Sequence, residues 1–214
     1  MFFLLQQRAR YGIMEQNQSS LGIILRARPE HKGVIVLDQY KGRMNGTIYR
    51  SITKNLLNGS LIEYTTRDYC GSLCITVIEQ HAQPAPWASD DIFFVHHILE
   101  LCRHMLPELH EQPEVFQLLS NLYNPNVPQS TGTKKALLCK LYMLLGMYPS
   151  EESSAQLPIP LISPSGDSML NFQYEYDQQT DEMMTRWLRE TLSSLDTREP
   201  LKTSSFLKRL GVLP

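Results

Sequence analysis

This 214-residue sequence lacks several signatures of catalysis. It has no glycine-rich phosphate loop and no Gly-x-Ser-x-Gly elbow. No pair of carboxylates stands in an obvious catalytic setting, so no enzymatic activity is expected. Cysteine is scarce as well. Cys70, Cys74, Cys102 and Cys139 do not have the spacing of a secreted disulfide framework, and a reducing cytoplasmic setting is expected. Long apolar runs are missing too. Met1-Phe2-Phe3-Leu4-Leu5 gives way to Gln6, Gln7, Arg8 and Arg10, which is too short for a signal-peptide core or a membrane span. Residues 1–18 read as an N-terminal extension, with folding signals and a second candidate start only from Met14.

What the chain does have is a change of character at Gln83-Pro84-Ala85-Pro86-Trp87. Ten Lys/Arg face six Asp/Glu before it, a balance of +4, and ten face sixteen after it, a balance of −6. The net charge of −2 therefore hides a basic module joined to an acidic one. That asymmetry points to nucleic acid on the basic side.

The basic module alternates with period two over Leu21–Arg28, Val34–Tyr40, Thr47–Thr53, Leu61–Thr66 and Leu73–Glu79. Turn residues separate the runs at Pro29–Gly33, Lys41–Gly46, Asn58-Gly59 and Cys70-Gly71. Five short strands suit a closed OB-type barrel, because closure removes exposed edges. An open sheet covered by helices fits the same periodicity. The acidic module reads as helices. The first is capped at Ser89, with Ile92, Phe93, Val95, His96, Leu99 and Cys102 inward, and ends before Pro107. The second starts at Pro113, and the third follows Thr133 and closes at Gly146. Two more are expected from Thr180 and Thr203, with a short strand at Asn171–Tyr176. The expected organisation is α+β: extension 1–18, OB-type barrel 19–83, and an α-helical domain 88–214 containing an irregular loop 149–178.

Metal ligands can be sought in Cys70 and Cys74 with His81, or in His97 and His104, which share a helical face at a spacing of seven. Partly buried histidines, and cysteines acting as small apolar residues, account for the same pattern more simply, and no metal or other cofactor is expected. The basic module offers more. Arg26, Arg28, Lys32, Lys41, Arg43, Arg50, Lys54 and Arg67 are interleaved with Tyr40, Tyr49, Tyr64 and Tyr69. Cations neutralise phosphates while rings stack on bases, the mixture a single-strand groove needs. Half-buried strand tyrosines beside a solvated charged face would produce the same mixture.

Local patterns in order along the chain add to this reading. They are Leu21-Gly22-Ile23-Ile24-Leu25-Arg26-Ala27-Arg28-Pro29, the Leu-rich helices around Leu106-Pro107-Glu108 and Pro113-Glu114-Val115-Phe116, and Leu144-Leu145-Gly146-Met147-Tyr148. The last is Glu199-Pro200-Leu201-Lys202-Thr203-Ser204-Ser205-Phe206-Leu207-Lys208. From about Ser19 onward the chain resembles the RecO family of bacterial recombination mediators. The resemblance implies an OB domain followed by a helical domain that binds and anneals single-stranded DNA. It also implies partnership with RecR, with the acidic C-terminal tail of single-strand-binding protein and, indirectly, with RecA, in a cytoplasmic, nucleoid-associated setting without a membrane. Lys134, Lys135, Lys140 and Arg103 are the cations expected to meet that tail, although Lys134 and Lys135 read equally well as solvated surface residues. Two departures stand out. Tyr148–Tyr176 contains none of the cysteines that hold zinc in many relatives, and Ser205 stands where the terminal pattern usually has Arg.

Overall fold

The computed structural model describes residues 19–28, 32–51, 56–127, 129–149, 177–194 and 204–213. The extension 1–18, the strand proposed at Asn171–Tyr176, most of the 149–178 loop, Lys54 and the start of the terminal pattern at 199–203 lie outside the described residues.

Five strands form: β1 (Ser20–Arg28), β2 (Gly33–Asp38), β3 (Gly42–Ser51), β4 (Leu61–Tyr69) and β5 (Ser72–Ala82). They close into a barrel in the order β1-β2-β3-β5-β4, with β4 returning to β1. β3 and β5 run parallel and the other neighbours antiparallel. The open-sheet alternative is thereby set aside, and the barrel is consistent with the OB type.

β3 begins at Gly42, five residues before the expected Thr47, because two glycines read as turn residues serve close packing instead. A Cβ on Gly42, where φ is +74°, would stand 1.7 Å from the His110 carbonyl oxygen, and one on Gly46 would stand 2.9 Å from the Leu73 carbonyl oxygen. The strand can therefore continue through both positions.

Period-two alternation sends Ile24, Val34, Val36, Met44, Ile62, Tyr64, Ile75 and Val77 into the barrel. Tyr64 donates its hydroxyl to Asp38 Oδ2 inside the barrel. Asp38 Oδ1 accepts the Tyr40 and Lys41 backbone N–H groups, each at 2.7 Å, and so shapes the β2–β3 turn. Burial, then the neighbouring carboxylate, push the Tyr64 phenol well above its ordinary pKa. Each fully buried apolar side chain contributes about 1.5–3 kcal/mol.

Five α-helices follow among the described residues: α1 (Ala85–Met105), α2 (Pro113–Ser120), α3 (Thr131–Leu144), α4 (Gln178–Ser194) and α5 (Ser204–Arg209). α1 is interrupted at Asp91, whose φ of −155° is extended, and it restarts with Asp91 Oδ1 accepting the Phe94 N–H at 3.3 Å. The cap of the continuing helix is thus Asp91 rather than Ser89. The buried face runs through Phe94, Val95, Ile98, Leu99, Leu101 and Cys102 and includes His97; Ile92, Phe93 and His96, expected inside, are exposed. Pro107 follows the end of α1, and Pro113 opens α2, as the sequence indicates. α3 starts earlier than expected, capped by Ser130, whose Oγ accepts the Thr133 N–H at 3.2 Å.

The helices and the outer face of the barrel share one core. Ile23, Leu25 and Leu37 point outward from β1 and β2 and join Phe94, Leu99, Leu119, Leu138, Trp187 and Phe206 in a single cluster. Polar ties reinforce the junction. The Tyr123 hydroxyl donates to the Gly59 carbonyl at 2.6 Å, and the Leu109 N–H donates to the Arg43 carbonyl at 2.9 Å. Cys102 and Cys139 are buried free thiols, and burial raises the pKa of each, to about 12 for Cys102. Cys70 is exposed in the β4–β5 turn at φ 54°.

Candidate nucleic-acid interface

The helices cover the β1–β2 side of the barrel and residues 108–110 cover the start of β3, which leaves the rest of β3, β5 and the second half of β4 facing solvent. The register defines what this open side carries. Gly33 pairs with Thr47, Thr47 with Cys74, and Cys74 with Arg67, so one row of outward positions crosses β2, β3, β5 and β4. Its middle is built of small side chains and one end carries a guanidinium. A register shift between Ile48 and Arg50 brings Tyr49 out of β3 beside this row, 77% exposed. On the other flank the Lys32 carbonyl accepts the Ile48 N–H at 2.7 Å, which fixes the β1–β2 turn against β3. Lys32, at φ 51°, and Arg28 are both exposed there. Tyr69 stands 71% exposed at the β4–β5 turn.

Arg28, Lys32, Tyr49, Arg67 and Tyr69 are therefore five of the expected residues that share the open side. The Arg50 backbone pairs with Thr76 on the same side, but its side chain lies outside the described residues. Tyr40, 64% exposed, and half-buried Lys41 occupy the β2–β3 turn at the opposite end of β2. Tyr64 is enclosed in the barrel and presents no ring to solvent.

Two arginines take up other positions. Arg43 Nη1 donates to the Arg103 carbonyl at 2.6 Å, and Nη2 lies 4.0 Å from Glu108, so the group ties β3 to the end of α1. Arg26 borders a cleft of about 200 Å³ between β1 and α1, with Leu25, Asn58, His96, Leu99, Glu100 and Arg103. The sequence names both among the candidate cations but does not say that helices cover that side.

The four cations expected to meet an acidic tail are not brought together. Lys134 lies 3.5 Å from Asp91 of α1 and over the Phe94 ring, 5.9 Å from its centroid. Lys135, one residue on, points instead to α4, where its Nζ donates to Asp181 at 2.6 Å with only 6% of the side chain exposed. It joins two helices and presents no free charge. Nor is the Lys134 N–H free, since it donates to the Ser130 carbonyl. Partial burial lowers the pKa of Lys140, with Glu114 opposing. Arg103 lies 3.9 Å from Glu100 on the cleft side of α1.

The histidines are also separated. His97 is fully buried, its Nε2 3.4 Å from the Tyr142 hydroxyl and its ring 5.7 Å from that of Phe206, whereas His104 is exposed beside Arg103. Among the described residues, no helix is long and apolar enough to cross a membrane. Comparison with models of known protein families and with curated proteins finds no match to this chain.

Proposed function

We propose that this protein is a non-catalytic DNA repair protein of RecO type. It binds and anneals single-stranded DNA and, with RecR, helps load RecA onto DNA coated with single-strand-binding protein. The OB-type barrel is the DNA-binding part and the helical part docks partners. The observation that carries the reading is the open β3–β5–β4 side, where exposed Tyr49 lies between the Arg28 and Lys32 turn and Arg67, beside small residues. Phosphate charge supplies the affinity and tyrosine stacking accommodates any base, so binding is strong in low salt and indifferent to sequence. The acidic tail of single-strand-binding protein remains a proposed partner. Lys135 is held by Asp181 and Arg103 lies 3.9 Å from Glu100, so of the cleft cations Arg26, beside Leu25 and Leu99, fits its carboxylates better.

The test is anisotropy of a labelled oligothymidylate over a range of salt. Replacing Arg28, Lys32 and Arg67 together by Ala is expected to flatten the plot of log K against log salt by about 2, at about 0.7 per lost phosphate contact on a single strand. An unchanged slope would leave a protein-only adaptor, the reading favoured by the burial of Arg43 at the helical junction.

A further inference from the structure

Where β4 meets the end of β5, Glu63, Glu79 and His81 each bring a ligand atom within 4.8 Å of the others. The sheet register puts them there. Glu63 is the direct cross-strand partner of Glu79. Leu61 pairs with Ala82 and Ile62 with Gln80, which leaves His81 as the extra residue of a bulge, and a second irregularity follows between Glu63 and Tyr64. Bulges bend a strand and re-aim its side chains. Here His81 Nε2 stands 3.5 Å from Glu63 Oε2, and Nδ1 stands 4.0 Å from Glu79 Oε1. One ion takes only one nitrogen of an imidazole, and two donors on a tetrahedral ion at bond lengths near 2.0–2.1 Å are about 3.3 Å apart; Glu63 Oε2 and His81 Nε2 already have nearly that separation, and all three residues offer a ligand atom within 4.8 Å of the others.

Charge leads to the same conclusion. Like charges directly opposite on one sheet face repel. A proton on His81 offsets one of the two carboxylates; a divalent ion offsets both. The side chains are 31%, 63% and 36% exposed for Glu63, Glu79 and His81, which leaves an entry path and room for water as a further ligand.

We propose that Glu63, Glu79 and His81 bind a divalent transition-metal ion of the zinc class on the outer surface of β4 and β5. One imidazole with two carboxylates suits such an ion better than magnesium or calcium, which prefer all-oxygen shells. The site is independent of the nucleic-acid reading and distinct from the cysteine-held zinc of many RecO relatives, for which residues 148–176 offer no cysteine.

The experiment titrates metal-free full-length protein with Co²⁺, read by its visible spectrum, and then with Zn²⁺ by calorimetry. The expected result is a single saturable Co²⁺ site with ligand-field bands and no thiolate charge-transfer band, displaced by Zn²⁺ and weakened as pH falls, because a ligating imidazole must give up its proton. His81→Ala and Glu63→Gln should each weaken Zn²⁺ by about tenfold or more, since loss of even an outer partner of a ligand has about that effect. Cys74→Ser should change nothing. Absence of saturable binding would reduce the cluster to a histidine–glutamate ion pair and overturn the proposal. Affinity that survives His81→Ala but falls in Cys74→Ser would overturn it equally, by moving the ion to the thiols.

Discussion

The β1–β2 side of the barrel and its β3–β5–β4 side obey the same alternation, but their outward residues have different fates. Ile23, Leu25 and Leu37 are sealed beneath helices, while Thr47, Tyr49, Cys74 and Arg67 are left at the surface or partly open to it. Cations divide by what lies over them rather than by strand, since Arg43 belongs to β3 and Arg28 to β1. Arg43 is held by a helix-end carbonyl, whereas Arg28, Lys32 and Arg67 stand exposed. A charge on an outward strand position thus has two possible roles, joining parts of the molecule or meeting a ligand, and the neighbouring layer decides between them.

The contrast should be plainest in stability. Leu25→Ala, at a site only 3% exposed, is expected to cost about 4 kcal/mol in urea unfolding, whereas Ile78→Ala, at 37% exposed, should stay within about 0.5 kcal/mol. Comparable losses from the two would mean that the helical cover contributes little.

Acid should attack the covered side next. Burial pushes the His97 pKa down from 6.5 to about 4, with Glu100 opposing. The unfolded chain therefore binds this proton more readily than the folded one. The stability involved is fully present above about pH 6.5 and is lost as pH falls toward 4, about 3 kcal/mol in all. Urea titrations between pH 7 and 4.5 should show this slope, and His97→Gln should flatten it. A variant as acid-sensitive as the parent would place the loss elsewhere.

On the open side, Tyr49→Ala should weaken oligothymidylate binding by about 2 kcal/mol, the scale of one stacked base, while Tyr40→Ala at the far end of β2 should leave it unchanged. Equal effects would erase the distinction between the two ends. The smallest effect separates two arginines. Arg43→Ala is expected to lower stability by about 1 kcal/mol without altering the salt slope, and Arg67→Ala to lower the slope by about 0.7 at constant stability.

The sequence shows the strands and helices better than it shows the surface. All five strands are visible as alternating runs, because barrel interior and exterior differ in polarity at every second residue. The start of β3 is hidden, since Gly42 and Gly46 look like turn residues until His110 and Leu73 are seen packed against them. The phase of α1 is hidden by the break at Asp91. Tyr49 and Arg67 are legible as candidates for the open side, but Arg43 and Tyr64 are equally plausible from composition alone. Only the register and the position of α1 separate them. Lys134 and Lys135 show the same limit, because adjacent helical residues point about 100° apart, and here they meet different helices.

The contact between Phe94 and Phe206, whose ring centroids are 5.5 Å apart, also bears on timing. A ribosome adding about 5–20 residues per second needs roughly 6–20 s to travel from the first ring to the second. Throughout that interval Phe94 lacks the aromatic partner that α5 supplies. This part of the core is therefore completed only late in synthesis, long after the last strand of the barrel has been made.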